Sequence, residues 1–397
     1  MWCKKLYGKI NGGKMKKRIL TSLFVLFATS LYAENANVLP QGRFRARVKP
    51  IYAFTFGTQF GNTGQEESLV SDFEVDLDEQ TAKKFGKDTS QALQPFFNAG
   101  AQTLGQFVPN LDVSTLVLGT AIEYGVTDTL TLGAIVPIIS ANTKFDLAFN
   151  RSPAGSHPAL QSTDFAKLAI EKAKAKGYDD PAAWENFGLG DVELGIKYKF
   201  LKTSNWSLAT KTGLRLPTGK VDDPDKLTDI GFGDGQTDWG ATLLVDYFGI
   251  PATLLNVMAK YTWQMSDREL LRVPSPDELF TTNVENIQRD LGDRLDLSFY
   301  SEVQLWKNFN LNSSYEFFVK QKDIYKSDQG FSVASLQENT AQRKHSLDFG
   351  LGFSTLPWVR SGTFRLPLDA GLNFTLPLAG KNVAKATSVN FEYKMYF

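Results

Sequence analysis

Apolar and polar residues alternate along most of the chain with a period of two. In the stretch 192–200, large apolar residues occupy every second position, and glutamate, glycine and lysine lie between them. Strict alternation of this kind indicates a β-strand with one apolar and one polar face. A strand of about nine to eleven residues, tilted, is long enough to cross a membrane.

The same pattern predicts twelve strands, over residues 42–57, 112–124, 129–140, 188–201, 206–216, 238–248, 253–264, 293–306, 309–319, 344–354, 363–376 and 386–397. Short connections alternate with long ones, and two long loops contain helical patterns, one capped by Asp164. Short turns at one end and long loops at the other are typical of bacterial outer-membrane barrels. We therefore predict an all-β fold, a transmembrane antiparallel up-and-down β-barrel of about twelve strands with long, partly helical extracellular loops. Pro50, Pro137 and Pro367 fall inside assigned strands, so ten or fourteen strands also fit the pattern.

The first residues have the pattern of a secretory signal peptide. Basic residues 16–18 precede an apolar stretch at 19–28, and small or neutral residues follow as far as Ala33. This order of basic, apolar and small residues is the one that signal peptidase substrates share. We predict cleavage after Ala33, with cleavage after Ser30 or Ala36 as alternatives.

The composition excludes several classes of function once the chain is divided at the predicted cleavage site. The whole chain has 43 basic and 43 acidic residues, but residues 1–33 contain seven of the basic ones and no acidic one. Residues 34–397, which we predict to form a single outer-membrane barrel domain, therefore carry a net charge of −7, and this gives no basic field for nucleic acid. One cysteine and two histidines exclude a disulfide framework and the usual zinc sites. We predict no metal and no cofactor.

The last strand carries a pattern of its own. Its apolar face, which ends on the final residue of the chain, consists of Val389, Phe391, Tyr393, Met395 and Phe397. This strand resembles the terminal signal that the bacterial barrel-assembly machinery recognises. The expected partners are therefore that machinery, the lipid of the outer membrane and small-molecule solutes.

Charged residues lie on the strand face opposite to the apolar one. Because a charge facing lipid is costly, we predict that these side chains line the lumen. They are Arg43, Arg45, Arg47, Lys49, Glu123, Glu193, Lys197, Lys199, Lys211, Arg215, Asp238, Asp246, Lys260, Arg294, Asp296, Glu302, Asp348, Arg365, Asp369 and Glu392. Such a lumen is either a polar pathway that selects solutes or a salt-bridged filling, because twelve strands fall between packed and open barrels.

Catalytic chemistry is not indicated. A twelve-stranded barrel enzyme would resemble an outer-membrane phospholipase, which has a lipid-facing His and Ser two positions apart on one strand. His345 lies on an apolar face, but the position two residues on is Leu347, and Ser346 falls on the inward face. We assign no catalytic residue and predict that the protein is not an enzyme.

Three stretches carry a family resemblance. They are 188–200 (GLGDVELGIKYKF), 213–219 (GLRLPTG) and 233–240 (GDGQTDWG). In order and spacing they resemble the meta-pathway phenol degradation family of outer-membrane transporters. The resemblance implies uptake of small compounds, aromatic or hydrophobic ones among them, and it transfers no catalytic residue.

The sequence thus predicts a porin-like channel in the outer membrane of a Gram-negative bacterium, for passive diffusion of small solutes that include aromatic or hydrophobic compounds. The alternative is a structural or surface-interaction barrel with a closed lumen, whose long loops contact a partner.

Overall fold

Twelve long strands account for the alternation seen in the sequence. A computed structural model describes residues 34–397, so the predicted signal peptide and Ala33 lie outside the described residues. The strands are β1 (Phe44–Phe56), β2 (Gly105–Thr127), β3 (Leu130–Arg151), β4 (Val192–Lys202), β5 (Trp206–Leu216), β6 (Asp238–Tyr247), β7 (Thr253–Gln264), β8 (Arg294–Trp306), β9 (Phe309–Lys320), β10 (Gln342–Ser354), β11 (Leu368–Lys381) and β12 (Ser388–Tyr396). All twelve predicted strands are present.

Every strand pairs antiparallel with its neighbours in the sequence, and β12 pairs with β1 to close the barrel. The hairpin β4–β5 ends in a tight turn, with Lys202 opposite Ser207, and β8–β9 does the same, with Trp306 opposite Phe309. The five longest connections all lie at the opposite end. The predicted closed, up-and-down barrel with twelve strands is confirmed.

Each of the three prolines that fall inside predicted strands interrupts strand pairing or marks the start of a strand. Pairing between β1 and β12 skips Lys49 and Pro50, because proline has no N–H to donate. Near Pro137, β3 changes partner from β4 to the short strand Ala183–Leu189. The predicted strand 363–376 started too early, since β11 begins only after Pro367, behind the short helix Leu356–Arg360.

The hairpin β2–β3 extends well beyond the rest of the barrel. Its strands have 23 and 22 residues, whereas the other ten have between 9 and 14. About ten additional residues at roughly 3.4 Å each carry the hairpin some 30 Å past the outer rim. It forms the support on which the long loops pack.

The loops contain the remaining elements. The helices are α1 (Glu79–Lys84), α2 (Lys87–Asn98), α3 (Phe165–Ala175), α4 (Ala334–Gln337) and α5 (Leu356–Arg360), with 3-10 turns at Ser71–Phe73 and Pro158–Leu160. The short strands are Thr58–Phe60, Glu66–Ser68, Val75–Asp76, Ala183–Leu189, Asp267–Arg272, Val284–Asp290, Ile324–Lys326 and Val383–Ala384. Asp164 caps α3 as predicted, because its carboxylate accepts a hydrogen bond of 2.9 Å from the amide of Lys167. Over residues 34–397, no helix has both the length and the apolar character that a membrane crossing requires.

The outer surface of the barrel is an apolar band with aromatic residues at both borders. Trp206 and Trp306 lie exposed at the tight-turn end. Trp239 and Trp263 lie opposite each other near the long-loop end, with stacked rings 4.4 Å apart. Two aromatic borders around an apolar band are typical of barrels that span a membrane.

Two apolar clusters lie above the charged part of the barrel. The first, which we call the mouth layer, crosses the outer opening and consists of Ile51, Ala53, Phe56, Phe60, Leu69, Val70, Leu111, Val113, Val117, Ile139, Ala141, Ile230, Phe232, Phe318, Val383, Ala384 and Ala386. The second, the loop core, packs the long loops onto the tip of β2–β3 and consists of Leu77, Ala82, Phe85, Leu93, Leu104, Phe107, Leu160, Phe165, Ala169, Ala173, Tyr178 and Phe280.

Candidate functional site in the barrel lumen

A cavity of about 90 Å³, with many charged side chains in its wall, occupies the barrel interior. Its wall includes cationic side chains from β4, β5 and β7, namely Lys197, Lys211 and Lys260, as well as the carboxylate of Glu123. The barrel is therefore wide enough that its own side chains do not fill it, although much of its charge is paired.

The charges near the tight-turn end form a connected network. Glu123 accepts hydrogen bonds from Arg45 and Arg47, at 2.5 Å and 3.1 Å. Arg47 also approaches Glu392 at 3.6 Å, and Lys394 binds the same carboxylate at 2.7 Å. Because these strands are neighbours across the closure of the barrel, the network ties β1, β2 and β12 together.

The segment that precedes β1 runs up into the lumen. Glu34 binds Lys211 at 2.6 Å and lies 3.6 Å from Lys197. The amide of Ala36, which is fully buried, donates to Asp246 at 2.9 Å, and the amide of Leu39 donates to Thr131 at 2.9 Å. Residues 34–41, which we call the N-terminal segment, therefore close the inner end of the lumen.

The outer end is closed by a junction between the barrel rim and a loop. Asp191 accepts hydrogen bonds from the amides of Gly219 and Asp234, at 2.9 Å and 3.3 Å. Arg215 on β5 forms ion pairs with Asp234 in the loop and with Asp238 on β6. We call these five residues, with Gly233, the outer-rim junction.

Glycine is required at two positions of the outer-rim junction. A side chain at Gly233 would collide with the carboxylate of Asp191, and one at Gly219 would come within 2.6 Å of a backbone carbonyl oxygen. The three stretches that carry the family resemblance thus meet at one place, where residues 188–200 supply Asp191, residues 213–219 supply Gly219 and residues 233–240 supply Gly233. Their shared role in the structure is to hold the loop over the mouth.

The structure places eighteen of the twenty residues predicted to line the lumen within barrel strands, on the inward face. Arg45, Arg47, Glu123, Glu193, Lys197, Lys211, Arg215, Asp238, Lys260 and Arg294 surround the cavity or its network, and Lys49, Lys199, Asp246, Asp296, Glu302, Asp348, Asp369 and Glu392 lie on other parts of the inward face. Two placements differ. Arg43 lies exposed in the turn before β1, and Arg365 lies exposed in the coil before β11, because both strands start later than the alternation indicated.

Some interior residues escaped the sequence reasoning. Glu34 precedes the first strand, where no alternation exists, and only its position after the predicted cleavage site could have drawn notice. Lys394 and Lys344 do lie on inward-facing positions of predicted strands. The rule that charged residues opposite an apolar strand face line the lumen could therefore have included both.

The residues considered for other chemistry have structural partners. The Nδ1 atom of His345 lies 2.6 Å from the hydroxyl oxygen of Tyr315, and Ser346 is buried on the other face. In the aspartate-rich loop between β5 and β6, where carboxylates could have bound a cation, Asp225 instead binds Arg272 at 2.7 Å. Within residues 34–397, no group of three or more His, Cys, Asp or Glu side chains is arranged to hold a metal ion.

Lys260 offers the cleanest test of ion selectivity. It is half-buried in the cavity wall. Replacing Arg45 or Arg47 with an acidic residue would instead place a second carboxylate against Glu123, and the two would repel each other. We expect Lys260→Glu to shift the reversal potential measured in planar bilayers toward cation selectivity, because a negative charge would replace a positive one in the cavity wall. Lys260→Gln should give an intermediate shift, and identical reversal potentials for all three proteins would show that ions do not pass this wall.

A buried carboxyl makes the loop sheet above the rim sensitive to pH. Burial raises the pKa of Glu269 to about 7; Arg289 opposes this effect, and Asp267 reinforces it. An acid whose folded pKa exceeds its unfolded value stabilises the fold at low pH, and this contribution is lost as the pH rises through about 7. We therefore expect the amides of Asp267–Arg272 to be better protected from hydrogen exchange at pH 5 than at pH 8. The protection factors are corrected for the pH dependence of the intrinsic exchange rates.

Glu269→Gln should remove this dependence, because the amide stays neutral at both pH values. Glu285 on the adjacent strand is the matched control. Against the effect of burial, hydrogen bonds from Ser327 and from two backbone amides lower the pKa of Glu285. Glu285→Gln should leave the contrast between pH 5 and pH 8 in place, and a contrast that survives Glu269→Gln would assign it to another group.

Comparison with known proteins supports the fold. The chain resembles the crystal structure of an outer-membrane channel from Pseudomonas putida F1, with a TM-score of 0.55 and 12% identity over 93% of this chain and 100% of that one. A mutant of the monoaromatic hydrocarbon channel TodX matches with a TM-score of 0.39, at 12% identity, over 91% of this chain and 92% of that one. The toluene transporter TbuX of Ralstonia pickettii matches with a TM-score of 0.38, at 10% identity, over 97% and 98%.

These solved structures are transport channels, and the first similarity shows a shared barrel fold. No protein-family model matches the chain, and no curated protein matches it in sequence.

Proposed function

We propose that this protein is an outer-membrane channel of a Gram-negative bacterium that takes up small apolar solutes by passive diffusion. The observation that carries the proposal is a closed barrel whose outer face is an apolar band and whose interior retains a cavity of about 90 Å³ that its side chains do not fill. A barrel that served only as a wall would gain stability by filling that space with side chains. The similar structure from Pseudomonas putida F1 is an outer-membrane channel, which agrees with this function.

The preference for apolar solutes rests on the inner face of the β2–β3 hairpin. Along β2 the inward positions change from Glu123 at the lumen to Val117 and Val113 in the mouth layer and then to Phe107 above it. An apolar solute would exchange water for side chains along this column, whereas an ion would lose hydration there without gaining a partner.

A second function has a specific observation in its favour. The N-terminal segment covers the inner end of the lumen, and the mouth layer with the outer-rim junction covers the outer end. A structural barrel with a closed lumen would look like this as well. As a channel, the protein must move at least one of these two covers during passage.

Several further assignments belong to the proposal. Residues 1–33 act as an upstream extension and signal peptide that is cleaved after Ala33, and residues 34–397 form one barrel domain. The last strand, with Phe391 exposed on its apolar face and Phe397 at its end, is the signal for the barrel-assembly machinery. The protein is not an enzyme, and the outer-rim junction supports membership of the meta-pathway phenol degradation family. The interior charges act on passing solutes.

Conductance and uptake together test this function. We expect the refolded chain 34–397 to give discrete single-channel currents in planar bilayers in potassium chloride. Bacterial cells that carry the barrel should also accumulate radiolabelled toluene faster than cells without it. A barrel that stays closed in bilayers and adds nothing to toluene uptake would instead support the structural function.

A further inference from the structure

An apolar pocket lies between the mouth layer and the loop core, outside the lumen. It has a volume of about 80 Å³ and is partly open to solvent. Its walls come from the outer halves of β2 and β3, from α3, and from the loops around residues 70–85, 227–228 and 279–280. Four long connections thus meet to build one cavity.

The lining of this pocket is almost entirely hydrocarbon. Of its seventeen lining residues, only Thr228 has a polar side chain, and five are phenylalanines: Phe73, Phe85, Phe107, Phe145 and Phe280. No charged group is available to bind an ion, and a sugar would lose its hydrogen bonds to water without replacement, at a cost of several kcal/mol. The lining therefore selects an uncharged, apolar molecule.

The pocket is held open by the elements around it. Leu111 and Phe107 belong to a long hairpin, Ala169 and Ala173 to a helix, and Phe280 to a separate loop, and all five are buried. The small side chains of the two alanines leave the gap that their larger neighbours surround. Cavities with a comparable apolar lining bind small aromatic molecules in other proteins.

The pocket continues the inward face that lines the lumen. On β2, Leu111 lines the pocket and Ala121 lines the lumen cavity, and both lie on the same face of the strand. Ten residues at roughly 3.4 Å each separate them, and the mouth layer fills the interval. A molecule that leaves the pocket toward the membrane therefore meets the mouth layer first and the lumen next.

We propose that this pocket is a capture site for small uncharged aromatic molecules, from which they pass to the mouth layer. The inference rests on the proposed channel function for the second step but not for binding itself. Phenylalanine edges and faces on several sides suit an aromatic ring better than an alkyl chain, because ring pairs gain energy beyond buried area.

The test uses the full mature chain in lipid nanodiscs and fluorobenzene as the probe. Binding is followed by fluorine NMR, with empty nanodiscs as the reference for partition into lipid. Ala173→Phe should fill the pocket and weaken binding by roughly tenfold or more, because the added ring occupies the place of the probe. Ala175→Phe is the matched control, since Ala175 is exposed on the same helix, and its binding should equal that of the unaltered protein.

Two further measurements keep the outcomes distinct. If Ala173→Phe fails to fold, Ile170→Gln, at a half-buried lining position, should also weaken binding because it brings an amide into the hydrocarbon lining. Equal binding by all variants would overturn the capture site. Lost binding with unchanged toluene uptake would remove the pocket from the transport path and leave the channel standing. Retained binding without any toluene uptake by the unaltered protein would refute the proposed function and leave the binding site standing.

Discussion

Removal of residues 34–39, most of the N-terminal segment, should raise the single-channel conductance several-fold. A refolded chain that starts at Pro40 lacks Glu34 and Ala36, which lie inside the lumen and bind Lys211 and Asp246. Water and ions would occupy the space that the segment leaves, so the inner end of the path would widen. Because Lys197 and Lys211 would lose a carboxylate partner, the enlarged channel should also become more selective for anions.

Two variants separate the bulk of the segment from its charge. Glu34→Gln keeps the segment but removes the carboxylate, so it should shift selectivity toward anions with little gain in conductance. Gly125→Ala acts on bulk, since a side chain there would collide with the backbone of Pro40 and displace the segment. Planar-bilayer recordings of these proteins beside the chain 34–397 provide the measurement. Unchanged conductance in the shortened chain would place the limiting barrier at the mouth layer.

The barrel strands could be predicted from the sequence because alternate residues face lipid and lumen. Lipid favours apolar side chains and the lumen favours polar ones. Strands such as Trp206–Leu216 and Thr253–Gln264 were predicted with their observed bounds. Each has lipid on one face and the charged lumen on the other, and each ends at a tight turn at one end. Under these conditions the period of two is unbroken from one interface to the other.

The same rule failed where the chain leaves the membrane. The predicted third strand stopped at Ser140, but β3 continues to Arg151. Below this point the outward positions are apolar, as at Leu132, whereas above it they are polar and exposed, as at Lys144 and Asp146. The inward positions stay largely apolar, from Ile135 and Ile139 to Phe145 and Leu147 of the pocket wall. The change on the outward face marks the outer border of the apolar band, and the apolar pocket lies beyond it.

The contacts that close the two ends of the lumen could not be predicted from the sequence, for a different reason. Glu34 is held by partners that lie 163 and 177 positions further along the chain, and Asp191 joins amides 28 and 43 positions away. No local pattern encodes contacts of that range. The three resembling stretches did point to residues that matter, although their common role became visible only when the barrel brought them together.

Arg215→Met should detach the loop from the barrel rim. Arg215, whose side chain is 11% exposed, lies between Asp234 and Asp238, and the methionine would leave these two buried carboxylates without their cationic partner. Breaking a buried pair in this way costs about 3–5 kcal/mol. On the loop side the junction is also held by the amide donors to Asp191 and by a hydrogen bond from Arg289 to the carbonyl oxygen of Asp234. We expect the loop, rather than the whole barrel, to open, because the ladders of β5 and β6 do not depend on this side chain.

Limited proteolysis with trypsin reports this opening, since the loop contains Lys220 and Lys226. The variant should be cut between β5 and β6 much faster than the unaltered protein, and its single-channel current should rise because the mouth is less covered. Adding Asp234→Asn and Asp238→Asn should restore resistance, because the unpaired charges are then gone. Arg365→Met, which removes an exposed arginine from a coil, controls for the loss of a positive charge. Rapid cleavage in the triple variant would mean that the guanidinium holds the loop through its own hydrogen bonds, and not by neutralising the two aspartates.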